Sequence, residues 1–197
     1  LDGLMAEREQ GITIDVAYRY FTTSKRSFIV ADTPGHEEYT RNMAVGASFA
    51  DAAVILLDAT KGVLVQTRRH TRICSLMGIR DFIFIVNKMD LAEYQESVFR
   101  NIKKELEEFV QIFPCNSMAV IPVSATVGDN ITTDSEHMDW YQGPTLLSYL
   151  EDLELDTNNA ENDFVLPVQR VSRPNHTFRG FQGQVEAGSL RIGDVIT

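Results

Sequence analysis

Cysteine is scarce in this sequence: Cys74 and Cys115 are the only two, and neither sits in a Cys-x-x-Cys or other metal-ligand spacing. A disulfide scaffold and a zinc ribbon are excluded, and a reduced, cytoplasmic protein is the simplest expectation. Long apolar runs are missing as well. Ala52–Leu57 and Phe82–Val86 are far too short to cross a bilayer, and no signal-peptide pattern is present, so no membrane role is expected. Positive charge is in deficit: 18 Lys and Arg stand against 28 Asp and Glu, a net charge of −10. That argues against broad electrostatic capture of nucleic acid, while leaving room for a local basic patch. The most specific absence is a Gly-x-x-x-x-Gly-Lys-Ser/Thr run, the loop that cradles α- and β-phosphates. The chain also opens at Leu1 and closes on Asp194-Val195-Ile196-Thr197, which reads as an interrupted strand. A segment of a longer protein is the expectation.

What is present is regular. Hydrophobic content of 44% with 23% charged residues suits an ordinary globular chain, and 197 residues allow one domain plus a piece, or two small domains. From Gly11 to Thr22 apolar residues alternate (Ile12, Ile14, Val16, Tyr18, Tyr20), which predicts a half-buried strand. Arg26–Asp32 predicts its hairpin partner, turning at Thr23-Ser24-Lys25. Asp51–Asp58, Asp81–Asn87 and Met118–Val123 are near-continuous apolar runs, the form of strands buried on both faces. Between them, Glu38–Phe49, Gln66–Met77 and Glu93–Ile112 read as helices. In the last, Val98, Ile102, Leu106, Phe109 and Val110 share a face that Lys103, Lys104, Glu107 and Glu108 avoid. Gly78 stands where a helix C-terminus favours glycine, and Thr145–Leu153 reads as a short final helix.

Strands alternating with helices predict an α/β domain with a mainly parallel sheet and flanking helices. After Leu155 the pattern changes. Residues 156–163 form a polar linker, and Val165–Ser172, Gly180–Glu186 and Arg191–Thr197 are strand-like with no helix between them. The expected division is a nucleotide-binding domain over residues 1–157 and the start of an all-β barrel domain over 158–197.

Two short motifs stand where strands hand over to loops. Asp32-Thr33-Pro34-Gly35-His36 follows Phe28-Ile29-Val30-Ala31, and Asn87-Lys88-Met89-Asp90 follows Phe82-Ile83-Phe84-Ile85-Val86. Strand ends of that kind line the ligand crevice of an open parallel sheet. Asp32 would reach a phosphate-bound magnesium ion through water, and Gly35 would offer a bare backbone N–H to a terminal phosphate. Asp90 would accept two hydrogen bonds from a guanine edge, which adenine cannot supply. The stem of Lys88 would lie across the base plane. His36 is placed to orient an attacking water and to titrate near neutrality, or to start a helix with no part in chemistry. Without the two motifs in order, both loops would read as caps and turns. Arg68-Arg69-His70 is a basic cluster in a predicted helix, either a solvated face or a contact for RNA or a partner.

These residues resemble translation-factor-type GTPases, and within them the GTPase subunits of sulfate adenylyltransferases, over essentially the whole chain. The general signature is Gly11-Ile12-Thr13 with Asp32–His36 and Asn87–Asp90. Narrower markers are the run Ala6–Tyr20, Tyr39-Thr40-Arg41-Asn42-Met43, and Lys61-Gly62-Val63-Leu64 with Gln66-Thr67-Arg68-Arg69-His70. Trp140-Tyr141-Gln142-Gly143-Pro144-Thr145-Leu146-Leu147 fits as well, as does Arg173-Pro174-Asn175 with Phe178-Arg179-Gly180-Phe181.

The resemblance implies a P-loop-NTPase-type fold, GTP and Mg²⁺ as cofactors, and Thr13 as a magnesium ligand at the end of a switch loop. Otherwise Thr13 is only the polar face of a strand. It also implies that Ser124-Ala125, behind Val120-Ile121-Pro122-Val123, contacts guanine through backbone N–H groups. Thr126 stands where the family commonly has leucine. The implied partner is a small catalytic subunit that makes adenosine 5′-phosphosulfate and pyrophosphate from ATP and sulfate, coupled to GTP hydrolysis. Two other readings stay open: a translation elongation-factor-type GTPase delivering aminoacyl-tRNA, and a non-catalytic remnant of the fold. Without the phosphate loop, these 197 residues alone are expected to bind GTP poorly.

Overall fold

Three parallel strands carry the architecture of the computed structural model, which describes residues 13–155 and 163–195. They are β3 (Ala52–Asp58), β4 (Asp81–Asn87) and β5 (Ser117–Pro122), in spatial order β3-β4-β5. Two antiparallel strands precede them, β1 (Ala17–Thr22) and β2 (Ser27–Asp32), paired from Ala17↔Asp32 to Thr22↔Ser27 as a separate hairpin. The helices of this part are α1 (Thr40–Ala47), α2 (Val65–Leu76), α3 (Glu96–Val110) and α4 (Leu146–Asp152). The chain divides into two compact units, Leu1–Leu153 and Glu154–Thr197. The expected boundary at 157/158 lies outside the described residues.

The middle strand sets the core. Phe82, Ile83, Phe84, Ile85 and Val86 of β4 are all buried, since this strand has a neighbour on each edge and cover on both faces. β3 departs from that expectation: Ala53, Ile55 and Leu57 are buried, but Val54 and Leu56 are exposed. Among the described residues it is an edge strand, hydrogen-bonded only to β4, and the face carrying Val54 and Leu56 is uncovered. β1 is exposed along its whole length rather than half-buried, and among the described residues the β1–β2 pair is a ribbon separate from the parallel sheet. β1 also starts at Ala17, so Thr13 to Val16 precede the strand. β5, the other edge, ends at Pro122, where a missing N–H costs no ladder bond.

Helix boundaries follow local chemistry. α2 stops where Gly78 takes φ +102°, and the Ile79 N–H donates back to the Cys74 carbonyl at 3.1 Å. α3 begins three residues later than the apolar pattern suggests. Glu93 and Tyr94 have φ of +52° and +53°, a left-handed turn that a right-handed helix cannot absorb. Its buried face is Phe99, Ile102, Leu106, Phe109 and Val110, with Val98 only half-buried. The helix expected over Glu38–Phe49 splits into a 3-10 turn at Glu37–Tyr39 and α1. Thr145 caps α4 by accepting the Ser148 N–H at 3.2 Å.

In the second unit the strand-like runs shorten to β6 (Arg170–Ser172) and β7 (Gly180–Gln182), an antiparallel pair, with a bridge between Val165 and Ala187. Residues 191–195 form no strand. A two-stranded ribbon has little apolar surface to bury, which limits how far its ladder extends. Its turn is closed by Asn175, whose Oδ1 accepts the N–H groups of Thr177 and Phe178 at 3.1 and 3.0 Å. Among the described residues no helix is long and apolar enough to cross a membrane.

Candidate functional site

The carboxyl ends of β3, β4 and β5 come together at Asp58, Asn87 and the Ser124 loop. Parallel register places Asp58 opposite Asn87, and the Ala59 N–H donates to the Asn87 carbonyl at 2.8 Å. The Val123 N–H donates to the Val86 carbonyl and the Met89 N–H to the Val123 carbonyl, at 2.9 and 3.1 Å. Each loop therefore leaves its strand already tied to the next.

Side chains then lock the Asn87–Asp90 and Ser124-Ala125 loops to each other. Asn87 Oδ1 accepts the Lys88 N–H at 2.8 Å and the Ala125 N–H at 3.0 Å. Ser124, fully buried, donates its hydroxyl to Asp90 Oδ1 at 2.7 Å. The Asp90 carboxylate keeps lone pairs on both oxygens for paired donors. The Ala125 N–H, expected at a base oxygen, is here used as a brace between loops. Met89 is fully buried in the hydrophobic core, so its side chain does not face the crevice; it anchors the loop from beneath.

A second layer supports this corner. The Gly128 N–H donates to the Ser124 carbonyl at 2.7 Å, and the Ser124 N–H to the Asp129 carbonyl at 3.3 Å. Asp129 is buried and accepts from Ser135 Oγ at 2.9 Å and from Tyr94 OH at 3.1 Å. Trp140 Nε1 donates to the Tyr94 carbonyl at 3.0 Å, which holds the left-handed turn after Asp90.

The Asp32–His36 loop is built more loosely. Asp32 is the last residue of β2 and is exposed, as are Gly35 and His36, whereas Pro34 is buried. Thr33 packs on α1 so closely that a Cβ on Gly46 would lie 2.5 Å from its Cγ2. A Cβ on Gly35 would meet nothing within 4 Å, leaving open space beside that backbone. His36 Nδ1 accepts the Glu38 N–H at 3.4 Å, which makes it the cap of the 3-10 turn in this conformation. Thr13 is half-buried ahead of β1; the next residue, Ile14, accepts at its carbonyl from Asn42 Nδ2 of α1 at 2.8 Å. The rest of the run from Ala6 to Ile12 lies outside the described residues.

The basic cluster on α2 is committed internally. Arg68 Nη2 donates to Glu105 Oε1 at 2.6 Å, with the Arg68 guanidinium 4.8 Å from the Phe109 ring centre. Arg69 Nη1 donates to Glu37 Oε2 at 2.6 Å and holds that carboxyl below its ordinary range. His70 is pushed below its usual pKa chiefly by burial and then by the Arg69 charge, while a hydrogen bond to the Gly35 backbone works the other way. Arg69 thus ties α2 to the turn after the Asp32–His36 loop, and His70 lies beside Gly35 of that loop. Asp58 and Gly46 carry no motif of their own, and only their nearness to Lys88 and Thr33 in space marks them. Arg69 and His70 stand out in the sequence as part of a basic cluster, but their place beside the Asp32–His36 loop does not.

Residues 1–155 match the family described as the elongation factor Tu GTP binding domain. Across its whole length the chain is 59% identical to a protein of Tolumonas auensis named sulfate adenylyltransferase subunit 1, of which it spans 42%. It is 57% identical to the bifunctional enzyme NodQ of a Rhizobium species, covering 100% of this chain and 31% of that protein. The chain therefore spans about two fifths or less of these curated relatives. Among solved structures, a bacterial selenocysteine-specific elongation factor superposes with a TM-score of 0.63 at 24% identity, over 98% of this chain and 31% of that one. Sup35 complexed with GDP superposes with a TM-score of 0.57 at 28% identity, over 87% of this chain and 43% of that one.

Proposed function

The chain belongs to the family of the elongation factor Tu GTP binding domain, and on that premise we propose that it is the GTP-binding and hydrolysing part of a sulfate adenylyltransferase large subunit. The observation that carries this reading is 59% identity, across the whole chain, to a relative named sulfate adenylyltransferase subunit 1. Because the chain spans 42% of that relative, the transferase reaction is assigned to the complete protein with its partner, and the GTP site to these residues. On the small catalytic subunit, sulfate and ATP form adenosine 5′-phosphosulfate and pyrophosphate. That mixed anhydride is uphill, and GTP hydrolysis on this subunit drives its formation. The cytoplasm suits such a protein, whose two cysteines are free thiols.

The residue roles follow from position. Asp90, oriented by Ser124, reads the two donors of the guanine edge. Asn87 ties the two base-side loops, and Lys88 covers the base plane. Gly35, with open space beside it, offers its N–H to the terminal phosphate. His36 leaves its cap on Glu38 to orient the attacking water. Thr13 and Asp32 supply one hydroxyl and one carboxylate. No cluster of three or more His, Cys, Asp or Glu suited to a metal occurs among the described residues. One hydroxyl, and one carboxylate acting through water, fit magnesium, which usually keeps several waters and takes phosphate oxygens besides. When bound, it offsets the charge of the phosphates.

Mixing the complete protein with the small catalytic subunit tests the proposal. GTP hydrolysis should rise when ATP and sulfate are both present, and GTP should raise the phosphosulfate yield where a non-hydrolysable analogue does not. Thr13→Ala should uncouple the two reactions more than it weakens GDP binding. A yield indifferent to GTP, with retention of aminoacyl-tRNA on filters in the presence of GTP, would instead place the protein among translation factors.

A further inference from the structure

Lys88 adopts φ +64°, a left-handed conformation that a residue with a Cβ rarely takes. Something must hold it there. Its N–H donates to Asn87 Oδ1 at 2.8 Å, and its Nζ donates to Asp58 Oδ2, also at 2.8 Å. The lysine is therefore fastened at both ends, by its own backbone and by the neighbouring strand. Asp58 is a well-held anchor. Its Oδ1 accepts the N–H and the hydroxyl of Thr60 at 2.9 and 2.6 Å, and its side chain is 16% exposed against 49% for Lys88. Parallel pairing of Asp58 with Asn87 sets the anchor at the mouth of the same loop.

We propose that Asp58 is a positioning residue of the guanine pocket, holding the Lys88 ammonium so that the lysine stem is already stretched where the base will lie. The inference rests on the guanine-pocket reading above. Rotamer freedom lost before the nucleotide arrives is not lost on binding, so a tethered stem binds the base face more tightly than a free one. Pairing also neutralises the ammonium, so Lys88 acts through its methylenes rather than as a cation competing for phosphates. The hydrogen bonds from Lys88 and then from Thr60 hold the Asp58 carboxyl at about 2, so the anchor stays charged throughout the physiological range. A fully exposed pair would be worth little; here the acid side is mostly buried and both its oxygens are engaged.

A double-mutant cycle on the complete protein tests this, with fluorescent GDP as the probe. Asp58→Asn should speed GDP dissociation and weaken affinity by about three- to tenfold, the range left for a half-exposed charged hydrogen bond. The ratio of GDP to XDP affinity should not move, because Asp90 reads the edge. Lys88→Met should weaken binding at least as much, and Asp58→Asn should add nothing in that background. Asp58→Ser serves the same cycle if the amide variant does not fold. Unchanged GDP dissociation in the Asp58 variant, or a loss that adds in full to that of Lys88→Met, would overturn the inference. A wild-type protein with no preference for GDP over XDP or ADP would strike the guanine pocket itself.

Discussion

The two halves of the candidate site are built to different standards. On the base side, Asn87–Asp90 and Ser124-Ala125 are bonded to each other, to β3 through Asp58 and Ala59, and to the core through Met89. On the phosphate side, Asp32, Gly35 and His36 are exposed, and the loop is held by Pro34, the Thr33–Gly46 contact and the α2 residues Arg69 and His70. The difference matches the two tasks. Choosing one base requires donors and acceptors fixed before the ligand arrives, since each misplaced one forfeits a hydrogen bond. Sensing a terminal phosphate requires an element whose arrangement a ligand can change, which means few and replaceable ties.

Each half makes a distinct kinetic forecast, all for the complete protein. The largest effect belongs to Asp90→Asn. Exchanging the carboxylate for an amide matches the exchanged carbonyl of xanthine, so the preference between GTP and XTP should shift by about 10⁴, the scale on which a hydrogen-bonding site rejects an analogue. Titrating both nucleotides reads it directly; an unmoved preference would take Asp90 out of the base pocket. His36→Ala, on the other half, should leave GTP affinity nearly intact and lower kcat by about 10²–10⁴, as for a residue acting mainly in the transition state. Wild-type turnover in that variant would reduce His36 to the cap it forms on Glu38.

Ser124→Ala sharpens the base-side reading, because it removes one charge-assisted hydrogen bond to Asp90 at no change of charge. The expected loss is about 10- to 100-fold in guanine-nucleotide affinity, from the ~1.5–3 kcal/mol such bonds contribute. Turnover of bound GTP should change far less, and equal loss in both would erase the division of labour.

The smallest effect concerns His70 and pH. Burial and the Arg69 charge depress its pKa in the folded protein below the ordinary 6.5. Below that pH the unfolded chain takes up the proton first, so this contribution to stability falls as pH drops. The wild type should therefore lose more melting temperature between about pH 7.5 and about pH 5.5 than His70→Gln does. Parallel losses in the two proteins would mean that the fold does not depress the His70 pKa.

The motif loops were legible because their signals are local. An apolar run followed by Asp-Thr-Pro-Gly-His or Asn-Lys-Met-Asp marks a strand end, and β2 and β4 do end at Asp32 and Asn87. The expectation for β3 went too far for a related reason: Ala52-Ala53-Val54-Ile55-Leu56-Leu57 reads the same whether one or two faces are covered. Which face is open depends on what packs over the sheet, and that is set by tertiary packing, not by composition. The start of α3 was misread because no residue type at Glu93 and Tyr94 announces two left-handed dihedrals.

By itself the sequence determined the order of strands and helices, the burial of β4 and the places where loops begin. All of these follow from hydrophobic period and from the chemistry of adjacent residues. Only the tertiary structure decided that Met89 is core, that Ala125 donates to Asn87, that Arg69 and His70 serve the Asp32–His36 loop, and that Asp58 holds Lys88. Those contacts join residues as much as 38 positions apart. No periodicity spans such distances: the parallel register of the sheet closes Ala125 on Asn87 and Asp58 on Lys88, and the packing of α2 beside the Asp32–His36 loop closes the rest.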